Sequence, residues 1–215
     1  MSTLQTERTT VKRLAKRGNY DRQTIHSILD EALICHVGFV VEGAPVVIPT
    51  IHARIGDMLY VHGSAASRML RSLREGVDAC VCVTLLDGLV LARSAFHHSM
   101  NYRSVVVFGK AKEVVDREEK IRVLTALVEH VVAGRSRDAR GPNEVELKQT
   151  LVLSLAIEEA SAKIRTGGPL DDEDDYAMPI WAGVLPMRLT PQEPIADERL
   201  EKRIAVPDYV VRYTR

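Results

Sequence analysis

LYVHGSAASRMLRSL, residues 59–73, changes period in its middle. Leu59 and Val61 alternate with Tyr60 and His62, the two-residue period of a strand, whereas Met69, Leu70 and Leu73 recur at helical spacing. The change falls at Gly63-Ser64, so a strand runs out, turns on small hydroxyl residues and enters a helix whose first turn carries Arg68. A helix start offers unpaired N–H groups and the positive end of the dipole, and hydroxyls with an arginine gathered there suit a phosphate. Ser64, Ser67 and Arg68 are the candidate donors. An ordinary serine N-cap on an amphipathic helix explains the same letters, and this stretch alone leaves both readings open.

Working outward, ICHVGFVV, VVIPTIHARIGD and MLYVHG read as three strands joined by short turns containing Gly, Pro and Asp. A helix precedes them: Asp21 caps RQTIHSILDEAL, with Ile25, Ile28, Leu29 and Leu33 on one face. Downstream, VDACVCVTLL and LVLARSAF flank Asp87-Gly88, a two-residue hairpin signal, and a long strand follows over residues 102–115. Asp116 caps a second amphipathic helix marked by Ile121, Leu124, Leu127, Val128 and Val131, ending near Gly134. After a polar break at 135–143 come a short helix over 144–149 and an apolar strand, TLVLSLAIEEASAKI. Residues 1–20 read as an extended arm of the kind that docks on a partner subunit. Residues 21–165 form the domain, and 166–215 a proline-rich extension packing on the barrel or on a partner.

Six or seven strands in meander order with inserted helices imply a mainly β fold with α, a small antiparallel barrel that leaves no exposed edge. A barrel of that size fills its interior with side chains, so a ligand belongs outside it, in a groove at a subunit interface.

Composition narrows the function. Of 215 residues, 46% are hydrophobic, enough for a core, and Lys+Arg and Asp+Glu both number 29, so no net field attracts nucleic acid. No stretch reaches the roughly 18 apolar residues of a membrane span, which predicts a soluble, cytoplasmic protein with no membrane partner. Cys35, Cys80 and Cys82 are an odd count, and Cys80 and Cys82 share a strand face, which reads as buried reduced thiols, with no metal site. DDEDD at 171–175 reads as an exposed acidic segment.

The order of the first helix, VVIPTIHARIGDMLYVHGS, ASRMLRSL, CVCVTLLDGLVLARS and NYRSVVVFGKA resembles the pyridoxamine 5′-phosphate oxidase-like flavoproteins with the FMN-binding split barrel, and within them the branch of the 5-nitroimidazole reductase-like proteins. The likeness runs from about Asp21 to Ile164. It implies FMN, with its phosphate on Ser64, Ser67 and Arg68 and His62 as a ribityl or phosphate neighbour. It sets Pro49, Thr50 and Ile51 along the isoalloxazine edge, against the alternative of a plain barrel strand with an edge proline. Asn101, Tyr102, Arg103 and Ser104 would face the ring and ribityl chain, although Arg103 also suits a surface ion pair. Trp181, the single Trp, would cross from a partner chain to close the site, or serve as a core anchor. FMN rather than FAD fits one phosphate cradle and no G-x-G-x-x-G turn.

Two departures bear on activity. The vitamin B6 oxidases carry an arginine motif for substrate phosphate after their tryptophan, which AGVLPMRLTPQEP does not reproduce, and their Ser-Arg-Lys is here Ser67-Arg68-Met69. His97 and His98, just before the Asn101 strand, are candidates for a proton donor or substrate contact, against a solvent-facing structural role or a haem or metal ligand. The expected protein is an FMN-dependent oxidoreductase of a small molecule, working as a homodimer with flavin sites at the interface. The alternative is a non-catalytic flavin- or haem-binding storage or sensor protein.

Overall fold

The computed structural model describes residues 3–214. Its strands are β1 (Gly18–Asn19), β2 (Ile34–Val41), β3 (Ala44–Ile55), β4 (Met58–Ser64), β5 (Asp78–Leu91), β6 (Ser99–Lys110), β7 (Lys112–Glu113), β8 (Thr150–Ala156), β9 (Glu159–Arg165) and β10 (Gly183–Pro186). The helices are α1 (Arg22–Glu31), α2 (Arg68–Arg74), α3 (Arg117–Val131), α4 (Glu144–Gln149) and α5 (Asp208–Val211). All strand pairs are antiparallel, in the order β1-β9-β6-β5-β2-β3-β4-β8-β7, with β10 added to β5.

The two ends of this sheet are joined by chain rather than by a hydrogen-bond ladder. β6 passes through Ala111 into β7 at the opposite end, and β8 passes through Ile157 and Glu158 into β9. That is a split barrel of seven long strands with three short ones, as the meander and its alternation predict.

Sequence chemistry sets the elements. β2 and β3 meet at Glu42-Gly43, both at positive φ (51° and 80°), the conformation whose twist suits a two-residue hairpin. Asp21 caps α1 by accepting from the Thr24 N–H at 2.8 Å, and Asp116 caps α3 by accepting from the Glu119 N–H at 2.7 Å. The last carbonyls of α1 are closed by two histidines: His52 bonds Leu29 O at 2.9 Å and His130 bonds Ala32 O at 2.8 Å. Their rings lie 4.9 Å apart, tying α1, β3 and α3 together.

Val37, Val81, Val83, Val105, Leu153 and Ala162 turn into the barrel with the apolar faces of α1 and α2, and the interior is filled. Burying each Val or Leu contributes about 1.5–3 kcal/mol. A second, smaller core forms outside the barrel, where Val123 and Leu127 of α3 pack on Ala53, Tyr60 and Val152.

Several expectations change. Asp87-Gly88 is not a hairpin but a bulge inside the continuous β5, between Leu86 and Gly88. A Cβ on Gly88 would meet Val184 Cγ1 at 3.0 Å and Leu185 O at 3.1 Å, so glycine is needed there for β10 to approach. The single strand expected over 150–164 is two, β8 and β9, bent where the Ile157 N–H donates to Asp57 O at 2.8 Å. The N-terminal segment docks on its own barrel: Leu4 is buried in the core and its carbonyl accepts from the Ala160 N–H at 3.1 Å. Cys80 and Cys82 face outward and are half-buried, while burial pushes the Cys35 thiol up to about 12. Asp171 is no exposed acid: its side chain is enclosed, bonded to Arg93 Nη1 at 3.0 Å.

Candidate functional site

The β4–α2 turn is held from both sides. Ser64 pairs with Thr150 at the start of β8, and the Ala65 N–H donates to Gln149 O at 3.0 Å. Ser64 Oγ accepts from the Ala66 N–H at 3.2 Å, and Ser67 N-caps α2 through the Leu70 N–H at 3.5 Å. The serine N-cap reading is therefore correct for Ser67, and it does not exclude the phosphate one, because an accepting hydroxyl still has its proton to donate. Arg68 opens the helix, is exposed, and makes no ion pair among the described residues. Met69, Leu70 and Leu73 fix α2 to the barrel core, so the cradle is rigid.

Strand alternation splits the other predicted residues between two faces. Pro49 and Ile51 face outward with Val47, whereas Thr50 turns inward with Val46 and Ile48. The outward neighbours on β2 are apolar as well, with Ile34 opposite Ile51 and Val40 opposite Pro45. Val47 is 62% exposed, Ile34 54%, Val40 53% and Ile51 40%. Along β6, Tyr102 and Ser104 share the outward face with Val106, and Asn101 and Arg103 lie on the other. Four consecutive strand residues cannot all face one flavin.

Arg103 is consumed by its own chain. It bonds Glu31 through Nη1 and, at 2.7 Å, Nη2, and Asp87 through Nη2 at 2.8 Å and Nε at 3.0 Å. Those carboxylates push its pKa further up, Glu31 most. The ion-pair reading accounts for it. Asn101 is buried, donating to Gly167 O at 3.1 Å and accepting from Arg165 Nη1. The Ser104 hydroxyl donates to Lys163 O at 3.3 Å.

His97 and His98 sit in the β5–β6 loop, away from the cradle's elements. His97 lies 3.3 Å from Asp172 Oδ2, and His98 Nδ1 lies 3.0 Å from Ser94 O. Trp181, just before β10, is 68% exposed, so it is no core anchor of this chain.

A cavity of about 560 Å³ lies between the outer face of β3–β4 and α3, with the 135–142 loop also among its walls. Ile51, His62, Leu124, Val128, Arg135 and Thr150 are among its walls. It adjoins the cradle, since Thr150 pairs with Ser64. His62 Nδ1 is buried with no hydrogen-bond partner among the described residues, and burial pushes the imidazole pKa down, favouring the neutral ring. Sequence reading places Ile51 and His62 near a ligand but misses the α3 wall. A trace was present: the apolar stripe of α3 is wider than the strip buried by Val123 and Leu127, and the surplus, Leu124, Val128 and Val131, faces the cavity.

Known proteins supply the context. Residues 21–164 match the family model described as pyridoxamine 5′-phosphate oxidase. The chain is 42% identical to the flavocytochrome Anf3 of Azotobacter vinelandii, with 96% of each chain covered and a TM-score of 0.90. It is 36% identical to the FAD and haem binding protein of Mycobacterium smegmatis, with 91% of this chain and 96% of that one covered and a TM-score of 0.87. A candidate 5-nitroimidazole antibiotic resistance protein of Bacteroides thetaiotaomicron is 26% identical over 68% of this chain and 86% of that one, with a TM-score of 0.57. No curated protein matches the chain. By the family model and the near-full-length relatives alike, the chain belongs to the pyridoxamine 5′-phosphate oxidase family.

Proposed function

We propose that the chain is a flavin-binding oxidoreductase that also carries haem, and that it works as a two-fold homodimer whose flavin sites are shared between chains. The observation that carries this reading is the outward apolar face of β2–β3, which lies exposed beside a rigid phosphate cradle. Ile34, Val40, Val47 and Ile51 are too many large apolar side chains to leave in water, and a flat aromatic ring covered by a second chain would bury them.

The residues fit a flavin. Ser64 and Ser67 offer hydroxyl protons and Arg68 an uncommitted guanidinium to the first phosphate. Pro49 and Ile51 present apolar surface to the ring, and Pro49 removes one backbone donor from that strand. When bound, the flavin would supply the electron transfer; the chain binds it, orients it and keeps water from its face. Trp181, exposed at the base of β10, is the side chain available to a partner's site.

FMN and FAD share the isoalloxazine, the ribityl chain and the phosphate that the cradle would read. One phosphate cradle points to FMN. The Mycobacterium protein binds FAD and haem, and its similarity over 91% of this chain favours FAD, together with haem, over FMN alone. Heat release and chromatography of the cofactors test this: an FAD peak with haem is expected, whereas an FMN peak overturns the choice of flavin and no flavin overturns the reading. Reduction by NADH or NADPH followed by reoxidation with an acceptor tests turnover. A chain that only stores its cofactor would show no acceptor-dependent cycling.

A further inference from the structure

We propose that the cavity between α3 and the outer face of β3–β4 is the haem site and that His62 is the axial ligand. The inference rests on the flavocytochrome reading above and adds to it the place and the ligand.

Seven histidines could serve, and the structure occupies most of them. His52 and His130 close carbonyls at the end of α1, His26 lies 3.1 Å from Asp57, His97 pairs with Asp172, and His98 meets Ser94 O. His62 and His36 remain without a side-chain partner among the described residues. His36 lies on the open outer face of β2, while His62 lies in the wall of the cavity. Its Nδ1 is buried without a partner among the described residues, and Nε2 is the nitrogen proposed for the iron.

The rest of the cavity suits a porphyrin better than an isoalloxazine. An isoalloxazine has a polar pyrimidine edge that needs several donors and acceptors, but the α3 wall is Leu124, Leu127, Val128 and Val131 with one hydroxyl, Thr125, whose proton goes to Ile121 O at 2.9 Å, and the N–H groups inside a helix are used within it. A haem has an apolar plate, one edge of carboxylates and an iron that takes an imidazole nitrogen. Leu124, Val128 and Val131 match the plate. Arg135 and Arg140 lie in the same cavity for the carboxylates, although Arg140 is also bonded to Glu146 at 2.6 Å and Arg135 to the Tyr209 hydroxyl at 3.1 Å. A cavity of about 560 Å³ is in the range that holds cofactors.

The test uses the full chain, loaded with flavin and titrated with haemin while the Soret band is followed. The native chain should take one haemin with the spectrum of a histidine-ligated iron. His62→Ala should lose or shift that band while its haem-free form unfolds at the native temperature, and added imidazole should restore the band; His36→Ala should leave it unchanged. Val128→Trp, which fills the cavity without touching the ligand, should also reduce haemin uptake. A native chain that holds flavin but takes no haemin overturns both the haem reading and this site. An unchanged Soret band in His62→Ala, or its loss in His36→Ala instead, overturns the ligand assignment alone. Thermal unfolding of the haem-free proteins at the native temperature shows that each variant is folded.

Discussion

The two faces of β3 carry similar residues and lead opposite lives. On the inner face, Val46 and Ile48 pack against a barrel interior that is already full; on the outer face, Val47, Pro49 and Ile51 stay exposed, with Ile51 at the rim of the α3 cavity. Inside, apolar surface is spent on stability. Outside, it is held available, and Arg68, the His62 imidazole and the surplus apolar stripe of α3 are left uncommitted among the described residues. In the proposed reading the fold keeps function off its core by giving each strand two faces with different tasks.

The sharpest way to break this contrast is to truncate one residue on each side. Leu70→Ala, which removes the fully buried side chain that anchors the cradle helix, should cost about 2–5 kcal/mol in urea unfolding. Val47→Ala should stay within about 0.5 kcal/mol for the isolated chain, while weakening its self-association in light scattering. Equal losses of stability would erase the distinction between the faces.

A second, smaller effect concerns Arg103. Arg103→Ala removes the guanidinium that Glu31 and Asp87 share. Because all three side chains are about a third exposed, the expected cost is about 1–2 kcal/mol rather than the roughly 3–5 kcal/mol of a fully buried pair. Flavin affinity should change far less than stability, and a variant that is stable yet flavin-free would return Arg103 to the binding site. Arg103→Lys should recover only part of the stability, since an ammonium cannot make paired contacts to two carboxylates.

The smallest effect is one of pH. Burial lowers the folded pKa of His62, so the unfolded chain takes up that proton first on acidification. Stability of the haem-free protein should be full above about pH 6.5 and fall as the pH drops through that value towards the lower folded pKa. His26, lowered mainly by burial, acts in the same direction, so the informative quantity is the difference between native and His62→Gln. The slope should flatten in His62→Gln, and an unchanged slope would mean that His62 is hydrated.

What could be read in the sequence was local. The period change at Gly63-Ser64 locates the β4–α2 turn, and Asp21 and Asp116 announce their helices, because a cap is a contact between near neighbours. Partners from far along the chain could not be read. Asp87-Gly88 has the letters of a hairpin, but β10 lies across Gly88 and the strand runs on. Arg103 has the letters of a ligand contact, but α1 and β5 bring Glu31 and Asp87 to it. The run Asn101–Ser104 was grouped by adjacency, which the strand divides between its faces. The cavity is the extreme case, since its walls come from β3, β4, α3 and a polar loop that meet only in the folded chain.

The shared flavin site can be tested by mixing lesions. Two tagged forms of the chain, one Arg68→Ala and the other Trp181→Ala, are purified singly and as a co-expressed mixed dimer, and flavin content is measured. If the cradle comes from one chain and Trp181 from the other, each single variant is depleted, but the mixed dimer combines both lesions in one site and leaves its second site native. Flavin should then return to about half the native content. Flavin no higher in the mixed dimer than in the single variants, or full flavin in Trp181→Ala alone, would contradict a site built from two chains.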